Sequence, residues 1–479
     1  MFYLITFICS IVILLAGYFL YGKLMDKIFK PDDRPTPAID HPDGVDYVPM
    51  KTWRVFLIQL LNIAGTGPIF GALMGAVFGP IVFLWIVFGS ILGGAVHDYM
   101  SGMISLRLNG ASVSEIVGKY LGSAAKQIMR VFSVILLILV GAVFTTSPAA
   151  LLARLTPSWM NTAFWVVVIL LYYFLATLLP IDKLIGKLYP IFGAVLAIMA
   201  VGIIGGLVVG GYSLPEISFS NLHPDGQPVW PFMFITVACG AISGFHATQS
   251  PMMARCLKKE KDGRKVFYGA MIAESVIALV WAAAGVAFYG ATGGLQNALA
   301  ELGQSGVVYD ISVSLLGIVG GALAIVGVVV CPISSGDTAF RSARLTIADW
   351  FKIDQSNMKK RLAITIPLLA VGAVLTQLDF DVVWRYFSWS NQTLAMITLW
   401  AAAMYLVYNA DNRWYSLVCA VPATFMSGVS CTYILMAEEG FRISQSIAYP
   451  IGIVFALACA ALFAVKAVGK KGLSMAEQK

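Results

Sequence analysis

Four stretches of this chain put polar or ionisable side chains where their surroundings are otherwise apolar. Residues 62 to 70, NIAGTGPIF, carry Asn62, Ala64, Gly65, Thr66, Gly67 and Pro68 in mid-run. Glycine opens dihedrals closed to other residues and proline removes a backbone donor, so a helix there is expected to unwind and start again. In a bilayer such a break is tolerated only where it faces protein or a water-filled cavity. Amides opening the outer half would carry partial positive charge towards a carboxylate, and carbonyls closing the inner half could hold a cation. A second stretch, VACGAISGFHATQSP over 237–251, has the same character, with Gly240, Ser243, Gly244, His246, Gln249 and Pro251.

The third stretch, VVVCPISSGDTAFRSARL from Val328, supplies Cys331, Ser334, Ser335, Asp337 and Thr338. Its serine pair could offer hydroxyl oxygens to a small hard cation beside carbonyls near Ala64 and Gly65. Equally, the serines could bond back to their own helix, and Asp337 could pair with Arg341 one turn on at the cytoplasmic interface. The fourth, GGAVHDYMSG, holds His97 and Asp98, and Glu274 lies two turns into a further apolar run. Ionisable groups inside membrane spans are costly and functional by default, and a histidine titrates near neutral pH, so His97 or His246 could relay a proton. Each of them reads as readily as a hydrogen-bonded packing residue. FSWSNQTLA, residues 387 to 395, opens another run with Asn391, Gln392 and Thr393, to line a vestibule or to bond between helices.

The elements that must position these groups follow from composition. Of 479 residues, 59% are hydrophobic and 12% charged, far from the soluble range. Apolar runs of about 20 residues, enough to cross a core of about 30 Å, recur along the chain. We place thirteen: 3–22, 53–78, 81–106, 131–152, 162–180, 188–211, 231–251, 267–291, 308–335, 362–377, 386–408, 414–435 and 447–467. The net charge of +7 does not point to nucleic acid, because 29 of the 32 Lys and Arg fall on one set of alternate loops and ends, leaving Arg154, Arg385 and Arg442 for the other face. Basic loops stay cytoplasmic, so the amino terminus is expected outside and the carboxyl terminus inside. The first run lacks a basic lead and a small-residue cleavage site, and reads as a retained anchor. The seven cysteines lie in or beside apolar segments without Cys-x-x-Cys spacing or a nearby His, as buried thiols would.

The broken spans, second and seventh, are five apart and of opposite polarity. That is the mark of two five-helix units in inverted topology, meeting at a midplane site. The fold class is an all-α polytopic membrane protein. Its parts are an anchor (1–22), a cytoplasmic linker (23–52), repeats over 53–211 and 231–408, two extra helices (414–467) and a cytoplasmic tail (468–479). No P-loop, HExxH or nucleophile elbow is present, so neither an ATP-driven pump nor an enzyme is indicated.

PTPAIDHPDGVDYVP, NIAGTGPIFG, SGFHATQSP, SSGDTAFRSARL and FSWSNQTLA, in that order over residues 35 to 395, resemble the carbon starvation protein family of bacterial inner-membrane transporters. The resemblance implies the five-plus-five fold of the leucine transporter, and uptake of pyruvate or, in some members, peptides, driven by an ion gradient. It also implies that Ser334 and Ser335, spaced from Cys331 as in such sites, bind sodium, with no other cofactor. Better-known members carry a His-His pair ahead of the glycine break, where this chain has LIQLLN. They also have a longer carboxyl-terminal region. The expected partners are a small carboxylate or a peptide, a coupling cation and membrane lipid. The expected substrate ligands are Asn62, Gly65, Thr66, Gly67, Ser243, Gly244, His246 and Gln249. The coupling set is Ala64, Cys331, Ser334, Ser335, Asp337, Thr338, His97 and Asp98. A membrane-embedded ligand sensor without transport is the alternative of another class. Nothing in the sequence speaks to oligomeric state.

Overall fold

The computed structural model describes residues 5–44, 46–178, 181–214, 216–355 and 357–469. Most of the tail expected at 468–479 therefore lies outside the described residues. Among those described, nine helices are long and apolar enough to cross a membrane, or ten counting one bent pair as a single span. Outward faces such as Val12, Leu20, Val201 and Val465 are exposed and apolar, as a lipid-facing surface must be.

The bent pair is the first broken helix: Thr52–Ile63 and Gly67–Phe78 meet at 55° across residues 64–66. The second break interrupts the chain between Phe234–Thr236 and Gly244–Ala254, with Gly240 at a φ of +87° that favours glycine. The breaks abut. A Cβ on Gly67 would stand 2.4 Å from Cys239 Sγ, and one on Gly240 would stand 3.6 Å from Pro68 Cα. The glycines thus serve close packing as well as unwinding.

One expected span is displaced. The helical stretch Thr292–Phe351 is kinked at Gly303 and Gly317, both at positive φ, so its last portion, with Pro332 inside it, runs over 318–351 rather than 308–335. Ser334 and Ser335 therefore lie in mid-helix. Asp337, Arg341 and Arg344 are buried within the bundle, not set at a solvated interface. The apolar signal faded after residue 335 because this helix turns its polar face to protein rather than to lipid.

The Pro- and Asp-rich linker is ordered. Its end pairs with the loop after the second broken helix, where the Met50 amide donates to the Cys256 carbonyl at 3.0 Å. The buried Glu260 accepts from Arg107 Nε at 2.6 Å and from the Asp32 amide at 2.9 Å. Arg34 beside Asp32 holds that carboxyl well below the usual carboxylate range.

Candidate functional site

Where the breaks meet, three helices bring four ionisable side chains together, all fully buried. Val82–Arg107 carries His97 and Asp98, the second half of the second broken helix carries His246, and Gly269–Phe288 carries Glu274. Asp98 uses one oxygen for each imidazole, at 2.8 Å from His97 Nδ1 and 2.9 Å from His246 Nδ1. Since Nδ1 of His246 is committed to Asp98, its Nε2 is turned towards Glu274, 3.5 Å away. That separation is too long for a hydrogen bond, and His246 Nε2 and both Glu274 oxygens lack one. Among the described residues no Lys or Arg pairs with Asp98 or Glu274. Two buried carboxyl groups therefore depend on protons, their own or those of the imidazoles, or on some other cation, for neutralisation.

The second break is closed by its own protein. Asn391, on the helix Phe380–Asn409, accepts from the Phe245 amide at 2.6 Å and the Ser243 hydroxyl at 3.1 Å. It thereby acts as a cap, supplied from another helix, for the half that starts at Gly244. Its neighbour Gln392 donates towards the carbonyls of Phe234, Val237 and Ala238 at 3.2 to 3.4 Å, where the first half ends. The carboxamide pair of FSWSNQTLA thus serves both ends of the break, and Gly244 is small because a Cβ there would lie 2.3 Å from the Asn391 carbonyl.

The first break is less complete. Ser335 donates to the Leu61 carbonyl at 2.8 Å, three residues before Ala64, and shares Cys331 O with Ser334. Thr338 bonds back to Ser335 O. Ser147 approaches Thr66 only to 3.5 Å. Both polar atoms of Asn62 are buried without a partner, as is the side-chain oxygen of Gln59. Gln249 lies further along, its Nε2 donating to Thr248 Oγ1 at 2.9 Å and reaching Ser342 Oγ at 3.4 Å, with its own oxygen unpaired. Asp337 stands apart from this group, 4.0 Å from Arg341.

Of the expected ligands, then, Asn62, Thr66, Ser243, His246, His97, Asp98 and Ser335 converge on the two breaks. Gly65 and Gly67 are there as backbone, the former pressed against the Phe144 ring. Glu274 was singled out only as ionisable, and Cys239 was read as a buried thiol without a His nearby. All seven cysteines are free, but only Cys239, Cys256, Cys331 and Cys419 are buried, while Cys9 is exposed and Cys431 and Cys459 are half-buried. Yet Cys239, His246 and Glu274 each present a ligand atom within 4.8 Å of the others. The seven-residue interval from Cys239 to His246 hides this in sequence, because it spans the unwound turn rather than a regular helix. The roomier grooves lie elsewhere. One of about 960 Å³ between Leu15, Trp53, Phe56 and Ala197 is almost wholly apolar and touches neither break.

Abutting broken helices around a buried polar centre define a membrane transporter. The fold agrees with solved transporters: MhsT in complex with L-phenylalanine superposes with a TM-score of 0.56 at 15% identity, over 86% of this chain and 98% of that one. This is the all-helical, leucine-transporter-like arrangement. The family model "Carbon starvation protein CstA" matches residues 3–161 and 154–290, and the chain belongs to that family. The peptide transporter CstA of Bacillus subtilis is 29% identical over 88% of each chain. The pyruvate/proton symporter BtsT of Escherichia coli is 30% identical over 57% of this chain and 47% of that protein.

Proposed function

We propose that this protein is a secondary active importer of a small carboxylate, pyruvate first, coupled to protons and working by alternating access in a bacterial inner membrane. The observation that carries the coupling is the buried Asp98–His246–Glu274 array, which holds two carboxylates with no fixed cation. A proton entering it removes a buried charge, and that gain is available to bias the two halves between outward and inward states. The substrate carboxylate would meet the start of the outer half-helix at Thr66 and Gly67 and the carboxamide of Asn62, whose two polar atoms have no partner. Ser334 and Ser335 remain the candidate sodium ligands, although their hydroxyls are directed to protein carbonyls. A pyruvate/proton symporter among the relatives supports this reading.

A peptide is the second reading, favoured by a specific observation: the relative named as a peptide transporter aligns over 88% of both chains, the pyruvate/proton symporter over only 57% of this one. The test is uptake of labelled pyruvate, and separately of a labelled dipeptide, into proteoliposomes with pH and sodium gradients imposed independently. Pyruvate accumulating on the pH gradient alone is the expected result. Accumulation of the dipeptide alone would transfer the site to peptides, and no accumulation of either would remove the coupled-transport reading.

A further inference from the structure

We propose that Cys239, His246 and Glu274 form a binding site for a thiophilic divalent transition metal, with zinc the best fit. The three ligand atoms lie within 4.8 Å of one another, and His246 Nε2 is 3.5 Å from Glu274 Oε2, a spacing two ligands of one tetrahedral ion can share. His246 Nε2 and both oxygens of Glu274 are buried without hydrogen bonds, so donor atoms already stripped of water face one point.

The surroundings are those of a metal ligand's outer shell. Asp98 at 2.9 Å from Nδ1 fixes the imidazole so that Nε2 carries the free lone pair, the carboxylate–histidine arrangement that orients metal-bound histidines. Asp98 is in turn fixed by His97 at 2.8 Å. Asn391 Nδ2 lies 3.5 Å from Cys239 Sγ, where it can donate to a thiolate. A mixed sulfur, nitrogen and oxygen donor set selects zinc-like ions over magnesium or calcium, which take oxygen alone. On binding, the Cys239 thiol gives its proton to solvent and the ion takes the thiolate, one carboxylate and a neutral imidazole. The fourth position is left for water or an anion. An ion here would tie the second break to the helix Gly269–Phe288 that carries Glu274, and so hold the transporter in one state. The site does not depend on what the substrate is.

The experiment uses the full-length protein in detergent, titrated with cobalt(II) as a spectroscopic stand-in and then with zinc. One equivalent of cobalt should bind with a thiolate-to-cobalt charge-transfer band that zinc abolishes. Cys239→Ser should lose the band, and Asp98→Asn should lower affinity about 10- to 100-fold, as outer-shell changes do. Wild-type protein without a thiolate band, or a band that survives Cys239→Ser, would overturn the site. If Cys239→Ser does not fold, Glu274→Gln serves in its place: cobalt binding unchanged in affinity and spectrum would overturn the proposal as surely. These readouts need no gradient and no pyruvate, so their failure is distinct from a failure of uptake.

Discussion

The two helix breaks look alike in sequence and are finished differently in the structure. At the second, Asn391 and Gln392 reach in from a neighbouring helix and bond to the ends of both half-helices. At the first, Ser335 meets one carbonyl while Asn62 keeps both polar atoms unpaired in a fully buried setting. At the second break it is the backbone ends that are satisfied internally, and that capping is architecture. A break whose polar groups are left over is prepared for a ligand, because orphaned buried groups cost stability that only a partner can restore.

This contrast makes opposite predictions for similar substitutions. Asn391→Leu should destabilise the protein by about 3 kcal/mol, since it strands the Phe245 amide and the Ser243 hydroxyl, read as a fall in melting temperature. Asn62→Leu should leave stability within about 1 kcal/mol of wild type, because it removes atoms that bond nothing, yet cut pyruvate uptake about 10- to 100-fold, the worth of a hydrogen bond to a carboxylate. If Asn62→Leu proves as destabilising as Asn391→Leu, the first break is structural too. Gln392→Ala should cost less than Asn391→Leu, about 1–2 kcal/mol of stability, because its bonds to the Phe234, Val237 and Ala238 carbonyls are long. Ser335→Ala should have the smallest effect. One hydrogen bond of about 1 kcal/mol is lost, and pH-driven uptake should stay within about fivefold. A selective loss of sodium dependence in that variant would instead place a coupling sodium at Ser335.

Much of this is legible in the sequence. Glycine and proline inside apolar runs locate both breaks and their meeting, whereas the close approach of Gly67 to Cys239 is seen only in the structure. The long helix over 318–351 was misplaced because hydropathy assumes that a span ends where polarity begins, whereas Asp337, Arg341 and Arg344 are polar towards protein. The partnership of Cys239 with His246 and Glu274 was hidden for a related reason. Helical periodicity cannot be counted through an unwound turn, and Glu274 arrives from another helix altogether. The cap by Asn391 is invisible locally, since capping is ordinarily sought within a few residues of the helix it serves.

The central claim is that the buried array of Asp98, His246 and Glu274 carries the coupling proton. Glu274→Gln removes one titratable group while keeping its shape, so the decisive comparison in this variant is pH-driven accumulation of labelled pyruvate against exchange of labelled for unlabelled pyruvate with no gradient. The account predicts that accumulation is lost while exchange persists. Accumulation at the wild-type level in Glu274→Gln would contradict it.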